Sequence, residues 1–335
     1  MNEPLPTTPP VLPSVDRNVT DTIRGQNEDT KSIRDIRQAL IEAAGDESET
    51  PPPVGTVPQP AVGDLVDDFV LTELLGAGVS CFVFRGVDRA ANRQVALTII
   101  NWANVYNRTA AMRQMRTEAA ALARVKHPRV VQFIDFGFDE RWPFLVTEFV
   151  EGQSLGELIR AGGSLPVEWA VFITSQLTDA LGAVWKAGLV HRDIKPDNVL
   201  IEGDGAVKLI DFGLAMQPVL QAMVASTGPE LAGTASYLAP EQAFDASVVD
   251  LRADIYALGV TFYEMLTGKL PFDGRNRIQM IAHHLNTNPA PPQQINPKVP
   301  ALVNDLCLWM LAKNPQERPQ NVEELRDALN AVTPK

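Results

Sequence analysis

Between His191 and Gly213 the chain reads His191-Arg192-Asp193-Ile194-Lys195-Pro196-Asp197-Asn198, then Val199-Leu200-Ile201, a short polar turn, and Asp211-Phe212-Gly213. Asp193 carries a carboxylate that can accept the proton of an incoming hydroxyl. Asn198 and Asp211 carry oxygens of the kind that hold hard divalent cations. Phosphoryl transfer needs such a base and such ligands close together. Here they arrive as two motifs, in order, on either side of a strand-like insert. The rest of the chain must position them.

Composition narrows what that chemistry can belong to. At 335 residues the chain can hold one large two-lobed domain or two medium ones. Its hydrophobic share of 45% is ordinary for a globular protein. It has no apolar run of about 18 residues, so no membrane span is expected. A net charge of −12 argues against nucleic-acid binding, which calls for a basic surface. Two cysteines, Cys81 and Cys307, are too few for a disulfide framework and fit a reducing cytoplasm. Met1-Asn2-Glu3-Pro4 does not begin a secretory signal. A cytoplasmic location is expected.

Residues 1–63 contain no aromatic residue and are dense in proline. Such a segment buries too little apolar surface to offset its ordering entropy, so disorder is expected. Within it, Ile33, Ile36, Leu40 and Ile41 recur at helical spacing over residues 31–44. That stretch reads either as a transient helix in a linker or as a docking element for a partner or for the folded domain. Folded structure is expected from about Asp68. Phe69 to Leu75 and Gln94 to Ile100 read as strands, and Gly76-Ala77-Gly78 between them is a tight glycine turn. A helix is expected from Thr109 to Arg124, and strands over Val130–Phe138 and Pro143–Phe149. Gly152–Arg160 and Val167–Ala187 have helical periodicity, the second stopped by Gly188.

From Phe69 to Val332 this order of motifs resembles the bacterial eukaryotic-like (Hanks-type) Ser/Thr protein kinases. The matching stretches are the glycine loop, Val95-Ala96, Glu118 ahead of His127-Pro128, the 191–198 loop, Asp211-Phe212-Gly213, Gly233-Thr234-Ala235-Ser236-Tyr237-Leu238-Ala239-Pro240-Glu241, Asp254 with Gly259, and Arg318. The resemblance implies an α+β, bilobal protein-kinase fold: a small antiparallel β lobe with one helix (69–147), a hinge (148–150) and a larger, mainly α-helical lobe (151–332). It implies ATP and Mg²⁺ as cofactors and protein substrates as partners. Asp193 would be the base and Lys195 the γ-phosphate contact; Asn198 and Asp211 would hold the metal. ATP would be met by Gly76, Gly78, Val83, Ala96, Thr98, Glu118, Glu148, Val150 and Leu200. Thr227 and Ser226 stand where relatives carry regulatory phosphates. Arg192 beside Asp193 marks the type whose activation segment phosphate orders through an arginine. His191 and Phe212 are expected to pack, Asp254 to bond loop amides, and Arg318 to pair with Glu241.

In one place the sequence departs from the family. The family's third strand reads V-A-x-K, and its lysine grips the α- and β-phosphates and pairs with the helix glutamate. Here the lysine position is Thr98, so the family's lysine pair with Glu118 cannot form. Cys81 fills the third-glycine position, from which a displaced lysine could reach the cleft; Arg85 and Arg93 are poor replacements. Two readings follow: a Ser/Thr kinase of weak activity, or a pseudokinase acting as a nucleotide-binding or scaffolding module. A small-molecule phosphotransferase of related fold would lack Ala239-Pro240-Glu241.

Overall fold

The computed structural model describes residues 58–78, 81–105, 107–139, 141–212, 235–243 and 249–333. They fall into two compact units, one built around a sheet and one around helices.

In the smaller unit, strands β1 (Leu65–Val66), β2 (Phe69–Ala77), β3 (Cys81–Asp88), β4 (Arg93–Ile100), β5 (Phe133–Asp139) and β6 (Trp142–Glu148) form one antiparallel sheet in the order β1-β2-β3-β4-β6-β5. Side chains alternate across a strand. On β4 this places Val95, Leu97 and Ile99 in the core and leaves Ala96 and Thr98 half-buried on the opposite face. Helix α1 (Arg108–Leu122) packs on β5 and β6 with Met112, Met115, Ala119 and Leu122, one stripe at helical spacing. Asn107 caps it, its side chain accepting from Ala110 N at 2.9 Å.

This unit starts earlier than composition suggests. Residues 58–63, read from sequence as the end of a disordered extension, lie against the sheet: Trp142 Nε1 donates to Pro58 O at 2.9 Å, and Gly63 N to Leu71 O at 2.8 Å. The cause is Trp142, a large buried ring whose indole N–H needs an acceptor. Proline supplies one, since it lacks only the donor. Residues 1–57, including the 31–44 stretch, lie outside the described residues.

The larger unit begins with β7 (Gly152–Ser154), α2 (Leu155–Gly162) and α3 (Val167–Lys186). Strands β8 (Val199–Glu202) and β9 (Val207–Leu209) complete a small β7-β8-β9 sheet. Then come α4 (Leu251–Thr267), α5 (Arg277–Asn286), α6 (Pro292–Ile295), α7 (Ala301–Met310) and α8 (Val322–Val332). Helix α4 is the axle. Ile255, Leu258, Val260, Phe262, Met265 and Leu266 are all fully buried, against α3 on one side and α7 on another. Gly259 lets α7 close in, because a Cβ there would stand 2.8 Å from Met310 Cβ. No helix among the described residues is long and apolar enough to cross a membrane.

One boundary differs from the periodicity. Gly152–Ser154, expected to open a helix, is instead a strand paired with β8, and the helix starts at Leu155. The reason is a capping box: Ser154 Oγ accepts from Glu157 N at 3.1 Å, and Glu157 Oε2 accepts from Ser154 N at 3.1 Å.

Candidate active site

The larger unit gathers the base and metal candidates on the loop that leaves α3. Asp193 is 8% exposed. Its Oδ2 accepts from Lys195 Nζ at 2.6 Å and from Asn198 Nδ2 at 2.8 Å. The same Nδ2 reaches Asp193 O at 2.8 Å. Both donations come from one end of the amide, so Oδ1 of Asn198 is the end turned away from Asp193. Burial raises the Asp193 carboxyl above the usual carboxylate range, against the downward pull of Lys195. A carboxylate so placed is a stronger proton acceptor than one in water.

Asp211 is tied to the same loop through backbone, where Ile210 N donates to Asn198 O at 2.9 Å; Leu209 N donates to Arg129 O, outside that loop, at 2.8 Å. Asp211 and Arg192 both hold left-handed backbone, at φ 64° and 67°. Such positions cost energy in any residue but glycine and persist only where neighbours impose them. For Arg192 the neighbour is identifiable. Asp254, fully buried on α4, accepts from His191 N at 2.8 Å and from Arg192 N at 2.7 Å. The His191 ring lies 4.6 Å from that of Phe212. Burial lowers the His191 pKa to about 4, so the ring is neutral and serves as packing. Its Nδ1 accepts from Asp193 N at 3.3 Å.

Asp254 also makes stability depend on pH. Burial raises its pKa from 3.8 to about 7, outweighing the two amide donors. A raised folded-state value means the native state keeps a proton that the unfolded chain has lost. This contribution is complete below about pH 4 and is lost as pH rises toward 7. In Asp254→Asn, which cannot titrate, the denaturation midpoint should lose that part of its pH slope; an unchanged slope would show that Asp254 is ionised throughout.

The smaller unit holds the remaining candidates. Val83 pairs with both Gly76 and, across β4, Thr98; Ala96 pairs with Arg85 and Thr147. Gly78 N donates to Cys81 O at 2.8 Å, closing the glycine turn. Opposed residues in a ladder share a face, so Val83, Arg85, Ala96 and Thr98 lie together on the face away from the core. Arg85 is committed there: it donates to Gln94 Oε1 at 2.6 Å and stacks 4.5 Å over the Phe149 ring, one register step from Thr98. Glu118 is half-buried toward the C-terminal end of α1. Glu148 ends β6, its N bonded to Gln132 O at 2.9 Å; Val150 is buried nearby in sequence, and Leu200 sits half-buried on β8 opposite Ser154. Ser226 and Thr227 lie outside the described residues.

A polar frame holds the segment 235–243. Arg318, 1% exposed, gives two N–H groups to Glu241, at 2.6 and 2.8 Å, and its other three to the carbonyls of Ala312, Arg252 and Lys313. The Tyr237 hydroxyl donates to Glu264 Oε2 at 2.5 Å. A single profile, described as Protein kinase domain, matches residues 69–329. The chain belongs to the protein kinase family.

Comparison with individual proteins agrees on the fold of this kinase domain. The Ser/Thr-protein kinase PknL of Mycobacterium bovis is 38% identical over 260 residues, which are 77% of this chain and 64% of the relative. The crystal structure of a single-site mutant of the Mycobacterium tuberculosis PknI kinase domain superposes with a TM-score of 0.64 at 26% identity, covering 82% of this chain and 98% of that one. Rad53 1–466 in complex with AMP-PNP gives a TM-score of 0.63 at 27% identity over 78% of this chain and 64% of the other. The chain spans 38% to 64% of the length of the curated relatives it matches. The kinase fold, with its antiparallel sheet lobe and helical lobe, is the one the motifs imply.

Proposed function

We propose that this kinase domain transfers the γ-phosphoryl group of ATP to a Ser or Thr hydroxyl of a protein, and does so weakly because Thr98 takes the lysine's place. The observation that carries the reading is Asp193, buried and held by Lys195 and Asn198 at 2.6 and 2.8 Å. In the transfer, the substrate oxygen bonds to the γ-phosphorus as its proton passes to Asp193, and the P–O bond to ADP breaks. Lys195 stands beside the base, where its charge can meet the phosphoryl oxygens.

The donor set fits Mg²⁺, a hard cation that takes oxygen ligands. Asn198 Oδ1 and Asp211 are the groups that would hold it. Bound there, Mg²⁺ would neutralise charge on the phosphates. For ATP, the reading assigns Gly76 and Gly78 to the phosphates, Val83, Ala96 and Leu200 to the apolar faces of the adenine, and backbone of Glu148 and Val150 to its edge; Rad53 in complex with AMP-PNP supports a nucleotide site. Glu118 keeps the helix position of the missing ion pair. Thr227, with Ser226 second, is proposed to take a regulatory phosphate that Arg192 meets. Residues 31–44 are proposed as a docking element, and the location as cytoplasmic.

Thr98 itself favours a second reading, a pseudokinase that binds nucleotide or scaffolds partners. Autophosphorylation with Mg·ATP separates them. Activity in the chain as given, reduced by Asp193→Asn by about 10³-fold or more, supports a kinase; the same weak signal in both proteins would come from something other than Asp193 and would favour the pseudokinase.

A further inference from the structure

His284 is absent from the chemistry above, yet it is 1% exposed and fully engaged. It lies on α5, in line with buried Met280 one turn earlier. One ring nitrogen, Nε2, is 3.0 Å from Ser236 O. A carbonyl can only accept, so Nε2 carries the proton. Burial lowers the His284 pKa to about 4, so the ring is neutral and Nδ1 must be an acceptor. Its donor is the Tyr256 hydroxyl, at 2.8 Å. The Tyr256 oxygen in turn faces Lys313 Nζ at 3.4 Å, which leaves its proton for His284. The tautomer is therefore fixed from both sides: lysine to tyrosine, tyrosine to histidine, histidine to the Ser236 carbonyl.

What this relay holds is the segment 235–243. Ala235 packs with Phe272 and Met280, and Leu238 with Ile281, so α5 is the seat on which the segment rests. The segment and the base-bearing loop share one support, α4: Tyr237 donates to Glu264, Arg318 joins Glu241 to the Arg252 carbonyl, and Asp254 on the same helix holds the amides of His191 and Arg192. A hydroxyl offered to Asp193 by a protein arrives with flanking residues, and these need a fixed surface next to that loop.

We infer that His284 is a positioning residue for the polypeptide substrate: by fixing the Ser236 carbonyl it holds the segment 235–243 in the form that receives a protein chain. The inference rests on the kinase reading and adds to it. It predicts an effect on polypeptide affinity, with ATP affinity and the transfer step spared.

The test compares His284→Leu, which has no donor, with His284→Gln, whose amide can reach the Nε2 position, and with Tyr256→Phe, which removes the hydroxyl that fixes the tautomer. All are made in the chain as given and with Thr98→Lys. In His284→Leu, amide hydrogen exchange over 235–243 should quicken and KM for a protein substrate should rise, each roughly tenfold, with KM for ATP and kcat within about twofold. His284→Gln should recover most of both. Tyr256→Phe should show the same pattern more weakly, and it decides the matter if His284→Leu does not fold. Unchanged exchange over 235–243, or a parallel rise in KM for ATP, would overturn the role. If neither background transfers phosphate, the kinase reading fails, and exchange alone decides for or against His284.

Discussion

Thr98→Lys is expected to raise the rate of autophosphorylation by about 10²–10³-fold, the usual worth of one preorganised group in a transition-state site. The position tolerates the change. Thr98 is half-buried on the face of β4 away from the core, while Leu97 and Ile99 beside it carry the packing. A lysine stem can leave that face without moving them. Its charge would then lie on the face shared with Val83 and Ala96, and the Glu118 carboxylate would regain the residue type the family pairs with it. Stability should change by less than about 1 kcal/mol, as for most substitutions outside the core. Initial rates at saturating Mg·ATP, beside thermal midpoints for both proteins, give the answer. No gain in rate from a folded Thr98→Lys protein would sink the missing-lysine explanation and leave the scaffold reading ahead.

The second large effect concerns stability. Glu241→Ala should cost about 3–5 kcal/mol, because it strands a buried guanidinium. Arg318 spends all five of its donors, two on Glu241 and three on carbonyls, with Tyr256 stacked 4.8 Å away. Removing the carboxylate leaves the carbonyls in place but the charge uncompensated. Arg318→Met combined with Glu241→Ala should recover part of the loss, since the charge then goes with its partner. Urea midpoints for the two single variants and the double variant test this. A Glu241→Ala shift equivalent to under about 1 kcal/mol would mean that water reaches Arg318 and the pair is an ordinary surface one.

The fold was legible through resemblance, because the motifs of a known family occur in order along this chain. Asp254 could be placed in advance for the same reason: bonding two loop amides needs a carboxylate at a given step of the helix. Three features were harder to see. Periodicity ran the helix back to Gly152, although Ser154-Leu155-Gly156-Glu157 carries the capping signal that starts it at Leu155. Composition assigned 58–63 to the extension, because a partner 84 residues away, Trp142, leaves no local trace. His284 stands next to half-buried His283, and only the angle of α5 decides which of the two is fully buried. The Met280–His284 spacing was the available clue. Thr98 was plain from the start; what a threonine there does to the rate is a question of charge, which strand geometry does not settle.

The bonds from Asp254 to the amides of His191 and Arg192 close loops of 63 and 62 residues. Closing a loop of that length costs roughly 4 kcal/mol in chain entropy. That cost must be met before Arg192 is held in its left-handed conformation. The loop that carries Asp193 is therefore a late product of folding, right only after α4 has docked, and a chain emerging from the ribosome carries the letters of this candidate site well before it has the shape.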